Sequence, residues 1–312
     1  MQEAADRYEK RRLLPREVAG EKQDALRESI ELKYQVCYLF KALGKQEKYK
    51  KLQGVCDDPS WLMQQFAELL HVPRYALIKR CPLGDDEDFR FHPLIYEEKV
   101  YSKAGRDIRV TNCNDDSLIT TLTGHTNYVQ CLIIDDGKLY SGSYDSTIKI
   151  WNCSTDTLIK TLTGHTDSVE CLTINDGKLY SGSEDKTIKV WDCSTNKLIT
   201  TLTEHTDGVE RLLIHGGKLY SQAHNVIKVY DCSDDTLITT LEDHTAWVWC
   251  LEIHDGKLYT GSNDKTINVY DCSDDSLITT LRGHTDIVYE LTFQNGKLYS
   301  KQRHCAIYIW QL

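Results

Sequence analysis

His165, Ser181 and Asp185 are the residue types of a nucleophilic triad: a hydroxyl to attack, an imidazole to take its proton, and a carboxylate to orient the imidazole. The same types return as His125, Ser141 and Asp145, and again as His244, Thr260 and Asp264. An active site needs one copy of its machinery, whereas a repeating structure needs one copy per unit. The repetition therefore points to packing. No single-copy cluster of catalytic residue types remains, and Cys and His follow the repeat without the close pairs that zinc sites use. The expectation is a non-enzymatic chain with no metal and no cofactor.

The elements that would hold these residues are copied with them. Residues 138–153, KLYSGSYDSTIKIWNC, and 178–193, KLYSGSEDKTIKVWDC, differ at few positions. Anchored on His, the period is marked by His125, His165, His205, His244 and His284, at intervals of 40, 40, 39 and 40. Lys99, Lys138, Lys178, Lys218, Lys257 and Lys297 mark one copy more. Each period carries four short β-like runs, strands a, b, c and d in chain order, such as VECLTI (169–174), KLYSGS (178–183), TIKVWDC (187–193) and KLITTL (197–202), with Asn-Asp-Gly and Ser-Thr-Asn turn signals between them. A lone four-stranded sheet cannot bury both faces, so such units must stack on their neighbours.

The dipeptides Gly164-His165 and Trp191-Asp192, with Ser181-Gly182-Ser183 and Asp185 between them, resemble the WD40 repeat, whose period matches. The resemblance covers about residues 76–312 and implies a mainly β fold, a six-bladed WD40-type β-propeller. Blades are expected near 89–122, 128–162, 168–202, 208–241, 247–281 and 287–310, the last lacking a fourth strand; residues 76–81, ALIKRC, are expected to complete it. The resemblance also implies a structural network in which the His of the loop entering a blade bridges the Asp of the b–c turn and the hydroxyl of strand b, which meets the Trp indole of strand c. That network is complete in His125, Ser141, Asp145 and Trp151 and in His165, Ser181, Asp185 and Trp191, with Tyr270 offering a hydroxyl beside His244, Thr260 and Asp264.

Composition narrows the function. Residues 1–88 hold equal numbers of basic and acidic side chains, 16 of each, so the net charge of −10 belongs to the repeats, which argues against nucleic acid as a partner. No long apolar run suggests a membrane span and the first twenty residues lack the apolar core of a signal peptide, so a cytoplasmic protein is expected, with the nucleus also open to it. Eight of the 12 Cys follow the repeat, as small buried residues rather than a disulfide framework. The acidic c–d turns, including Asp115, Asp116, Asp234, Asp235, Asp274 and Asp275, read as a solvated surface.

If copied positions specify the fold, positions where copies disagree on one rim are candidates for binding. Around the first Val of strand a these are Tyr128 and Gln130, Glu170, Glu210, Trp247 and Trp249, and Tyr289; in the b–c turns they are Tyr144, Glu184, Asn263 and Arg303. Exposed aromatic residues with charged neighbours suggest a peptide or protein ligand. Residues 1–75 lack the repeat and read as a helical segment, with Asp58-Pro59 as a helix start. The whole reads as a protein-protein interaction scaffold; the alternative is a substrate receptor of a ubiquitin ligase, since Leu14-Pro15-Arg16-Glu17 and Asp57-Asp58-Pro59-Ser60-Trp61 faintly resemble the two ends of an F-box.

Overall fold

A computed structural model describes residues 94–303 and 307–311, residue 295 excepted. The helical reading of 1–75, its F-box resemblance and the closing strand 76–81 lie outside the described residues. The described residues fall in a compact unit beginning at Asp86.

The four runs per period form an antiparallel sheet in chain order. Sheet one is β1 (Leu94–Tyr96), β2 (Lys99–Ala104), β3 (Asp107–Asn112) and β4 (Leu118–Leu122); sheet two is β5 (Val129–Asp135), β6 (Lys138–Ser143), β7 (Ile148–Asn152) and β8 (Thr157–Leu162). Sheet three is β9 (Val169–Asn175), β10 (Lys178–Ser183), β11 (Ile188–Asp192) and β12 (Lys197–Leu202), and sheet four is β13 (Arg211–His215), β14 (Lys218–Ala223), β15 (Val226–Asp231) and β16 (Leu237–Leu241). Sheet five is β17 (Val248–His254), β18 (Lys257–Ser262), β19 (Thr266–Asp271) and β20 (Leu277–Arg282). Sheet six has three strands among the described residues, β21 (Val288–Gln294), β22 (Lys297–Gln302) and β23 (Ile307–Gln311). The a–b connections are tight because Asp176 and Gly177 both take positive φ, 47° and 74°, as a two-residue hairpin of matching twist requires.

Apolar residues of each sheet face those of the next. Between sheets three and four, Tyr180, Ile188, Val190 and Leu202 pack on Val209, Leu219, Tyr230 and Cys232. Equivalent cores join sheets one to two, two to three, four to five, and five to six. On sheet six the positions that repeat Ile188 and Val190, both 0% exposed, are Ile307 and Ile309 at 61% and 60%, so that apolar face lies open.

A second tie recurs at the end of the sheets carrying the c–d turns. Lys218 Nζ reaches into the following sheet, to Cys272 O at 2.9 Å and Asp275 Oδ2 at 2.7 Å, and the Tyr220 hydroxyl donates to Asp275 Oδ1 at 3.0 Å. Lys178 holds Cys232 O and Asp235 in the same way, and Lys99 holds Cys153 O and Asp156. The expectation of a solvated acidic surface is corrected at two of its residues: Asp115, Asp116, Asp234 and Asp274 are exposed, but Asp235 and Asp275 are buried latches between sheets, with 7% and 3% of their side chains exposed. Lys138 donates to Cys193 O at 3.0 Å, but Asn196 occupies the place of the carboxylate. Lys218→Met therefore leaves a buried carboxylate without its cation and should destabilise by about 3 kcal/mol, against about 1 kcal/mol for Lys138→Met. Chemical denaturation of the two variants would show that order; equal losses would remove the latch from the account.

Candidate functional site

The triad-like sets have the geometry of a catalytic relay and the burial of a structural pin. His165 Nδ1 donates to Asp185 Oδ2 at 2.7 Å, the Ser181 hydroxyl lies 2.8 Å from His165 Nε2, and Trp191 Nε1 donates to Ser181 Oγ at 2.9 Å. Sheet two repeats this with His125, Ser141, Asp145 and Trp151. Ser141 and Ser181 are fully buried, so neither oxygen can meet a substrate. Burial pushes the His165 imidazole down, and hydrogen bonds to Asp185 counter it only in part, which keeps the ring neutral and suited to accepting from Ser181. Burial alone would raise the Asp185 carboxyl; donors from Thr187, the Thr166 amide and His165 outweigh it and hold it below its ordinary value.

Other sheets carry variants of the pin. His244 meets Asp264 at 2.7 Å and Thr260 Oγ1 at 2.8 Å. The Tyr270 hydroxyl does not replace the indole as expected: it accepts from Asn268 Nδ2 at 3.4 Å. Sheet six keeps His284, Ser300 and Trp310 and puts Gln302 Oε1 where Asp stands elsewhere, 3.3 Å from His284 Nδ1. Sequence reading missed Gln302 because the carboxamide supplies the same acceptor without the same letter. It also missed Thr187, whose hydroxyl donates to Asp185 Oδ1 at 2.6 Å.

His205 retains only Ser221, at 2.7 Å. Burial, then the Lys228 cation, push its imidazole down to about 4, against a smaller opposing effect of Asp207. The ring folds neutral but charges in the unfolded chain below about pH 6.5, so stability is lost as pH falls from there to about 4, by up to roughly 3 kcal/mol. His205→Gln should flatten that part of the stability curve; an unchanged slope in acid denaturation would contradict it.

The cysteines behave as packing residues: burial raises Cys131 and Cys250 to about 12, far from a reactive thiolate. The thiol of Cys171 occupies the space above Gly182, where a Cβ would lie 2.6 Å from Sγ and 2.7 Å from Val209 Cγ1. Gly142 and Gly261 face Cys131 and Cys250 in the same way. Sheet six breaks this rule with Glu290 and Lys301, and sheet four with Arg211 and Gln222, in place of Cys and Gly. In sheet four the first strand starts two residues late, and the first strands of sheets four and five approach each other less than those of sheets three and four or five and six.

The predicted rim residues divide into three groups. Tyr128 and Tyr144, exposed on sheet two, are joined by a backbone bond at 3.0 Å, and Gln130 accepts Lys103 Nζ through its carbonyl at 2.6 Å. On sheet six, Tyr289 lies under Lys301 Nζ, 5.4 Å from the ring centroid, and Arg303 is exposed with its amide bonded to Ile287 O. The largest group runs across sheets three to five. Glu184 reaches over Gly208, where a Cβ would lie 2.2 Å from Oε2. Trp247 Nε1 donates to Glu210 Oε2 at 2.9 Å, the Trp247 and Trp249 rings stack 5.6 Å apart at 18°, and Trp249 Nε1 donates to Asn263 Oδ1. His224, overlooked in the sequence, packs on Trp247 at 5.2 Å. Glu170, on β9, is half-buried. Both Trp residues are half-buried. Among the described residues no cluster of metal-ligating side chains occurs and no helix is long and apolar enough to cross a membrane.

No curated protein matches the chain. Among solved structures it is similar to the crystal structure of the computationally designed Ika8 protein, with 26% identity over 70% of each chain and a TM-score of 0.64. Residues 116–152, 156–192 and 235–271 match the family described as WD domain, G-beta repeat. Each matched stretch runs from the last strand or c–d turn of one sheet to the third strand of the next, and each ends on a sheet that keeps the His, hydroxyl and Asp. The chain therefore carries WD40 repeats at three positions, and its six successive antiparallel sheets are consistent with a WD40 β-propeller.

Proposed function

We propose that this chain is a protein-interaction scaffold that recognises a peptide or protein partner on the end of the sheets formed by the d–a loops and b–c turns. WD40 repeats support an interaction role in general. The observation that carries the finer reading is the stacked, half-buried Trp247 and Trp249 pair, at positions where sheet three has Ser168 and Glu170. A copied fold does not need this pair, and large aromatic residues at a surface are the usual energetic centres of an interface. Tyr128 and Tyr144 on sheet two and Tyr289 on sheet six would extend the contact around the same end.

The test is capture of partners from lysate with the intact chain and with a Trp247→Ala, Tyr289→Ala variant of equal melting temperature, followed by rebinding of each partner in purified form. A partner bound by the intact chain and weakened at least tenfold by the variant supports the reading. Equal binding to both overturns it.

A further inference from the structure

Five outer strands share one irregularity. On β4, β8, β12, β16 and β20 the register with the neighbouring strand shifts, leaving Ile119, Ile159, Ile199, Ile238 and Ile278 as β-bulges. A leucine precedes each, and every one of these Leu-Ile pairs is exposed: Leu198 and Ile199 at 45% and 48%, Leu237 and Ile238 at 39% and 46%, Leu277 and Ile278 at 41% and 48%. A bulge guards an edge against an added strand, so these edges offer a partner side chains rather than backbone. Charge then separates the edges. Lys160 of β8 donates to Asn196 O at 3.3 Å, which lays it on the c–d turn of sheet three beside the exposed Lys197. Asn196 stands where a latch carboxylate stands in sheets four and five, and Asp192 is the acid of that turn. Lys138, which donates to Cys193 O of the same turn, follows Asp135 and Asp136 on its own hairpin. The turns of sheets four and five instead hold Asp231 and Asp234, and Asp271 and Asp274, besides the latched Asp235 and Asp275. β16 carries no cation, and β20 carries Arg282 at its far end.

From this we infer that copies of this chain associate edge to edge. The Leu198-Ile199 pair with Lys160 and Lys197 of one copy meets the Leu237-Ile238 or Leu277-Ile278 pair of a second copy, with Asp234 or Asp274 beside it. The occupant is a second copy because the chain carries both halves of the contact: matching aliphatic pairs, and an excess of lysine on one edge against an excess of aspartate on two others. Burial of the aliphatic pairs supplies attraction, and the charges choose which edges meet. Two lysine edges repel one another, as do two aspartate edges, so the contact is heterologous and each copy keeps a complementary edge for a further one. Both halves lie at the end of the sheets carrying the c–d turns, so copies facing the same way bring them to one level. The Trp247 rim is at the other end, and the inference does not depend on what binds there.

The test is sedimentation velocity of the full chain over a concentration series, with two charge-reversed variants, Lys160→Glu with Lys197→Glu and Asp234→Lys with Asp274→Lys. The parent should associate by about 100 μM, as a small contact allows, and several-fold more weakly in about 0.5 M salt. Each variant alone should associate at least tenfold more weakly, because its edges then carry one sign. An equimolar mixture of the two should regain the association of the parent, since opposite edges meet again. A parent that stays monomeric throughout overturns the inference. So do variants that associate alone as the parent does, which would put the contact elsewhere, for instance on the open face of sheet six, and so does a mixture that recovers nothing. Should a charge variant not fold, Ile199→Thr removes part of the apolar contact and should weaken association several-fold; unchanged association of that variant likewise overturns the inference.

Discussion

His165→Ala should lower the stability of the chain by about 3 kcal/mol, and His205→Ala by about half of that. The first substitution takes a partner from two groups: Asp185, which keeps Thr187 and the Thr166 amide but loses its ring donor, and Ser181, which is fully buried and is left with the Trp191 indole and Lys189 O. Leaving a buried charge and a buried hydroxyl short of partners costs more than the bond itself. His205 bonds Ser221 alone, its b–c turn has no Asp, and the Tyr230 hydroxyl of its sheet turns to Glu204 at 3.2 Å. For a unit of this size each kcal/mol is about 2–4 °C in melting temperature, so the two variants should melt several degrees apart. Equal melting temperatures would mean that the network contributes nothing as a network.

The second large effect is expected at a glycine. Gly182→Ala places a Cβ 2.6 Å from Cys171 Sγ, 2.7 Å from Val209 Cγ1 and 3.1 Å from Val209 O. The last of these is backbone of the next sheet and cannot swing aside, so sheets three and four must separate and loosen the core between them. We expect a loss of about 3 kcal/mol. Gly177→Ala is the control, because its φ of +74° makes the substitution strained while nothing lies within 4 Å of the new Cβ. That strain costs about 1–2 kcal/mol. Denaturant titration should therefore rank Gly182→Ala as the more damaging; the reverse order would mean the seams are not tightly packed.

The strands and the pin were legible in the sequence because they repeat: five His at one period, each with a hydroxyl 16 residues on, leave little freedom of interpretation. What stayed hidden was the pairing between sheets. Lys99 to Asp156, Lys178 to Asp235 and Lys218 to Asp275 share a separation of 57 residues, longer than the period, so a search within one period passes over them. That constant spacing was the available signal. Gln222 and Arg211 were hidden for the opposite reason: they occur once, and only strand register shows that they replace a Gly and a Cys that need each other. The aromatic rim was legible as unusual residues at copied positions, but not its arrangement, since the Glu210 to Trp247 bond and the Trp stack cross between or lie within neighbouring sheets.

The central claim is a division of labour, in which copied residues hold the sheets and the departures on one rim bind a partner. It is tested most directly by giving sheet five the residues of sheet three, Trp247→Ser with Trp249→Glu, and measuring the affinity of the doubly substituted chain for its purified partner at a temperature where it is fully folded. The account predicts a loss of at least tenfold with a melting temperature within a few degrees of the parent. Retained affinity, or affinity lost only together with a collapse in melting temperature, would contradict it.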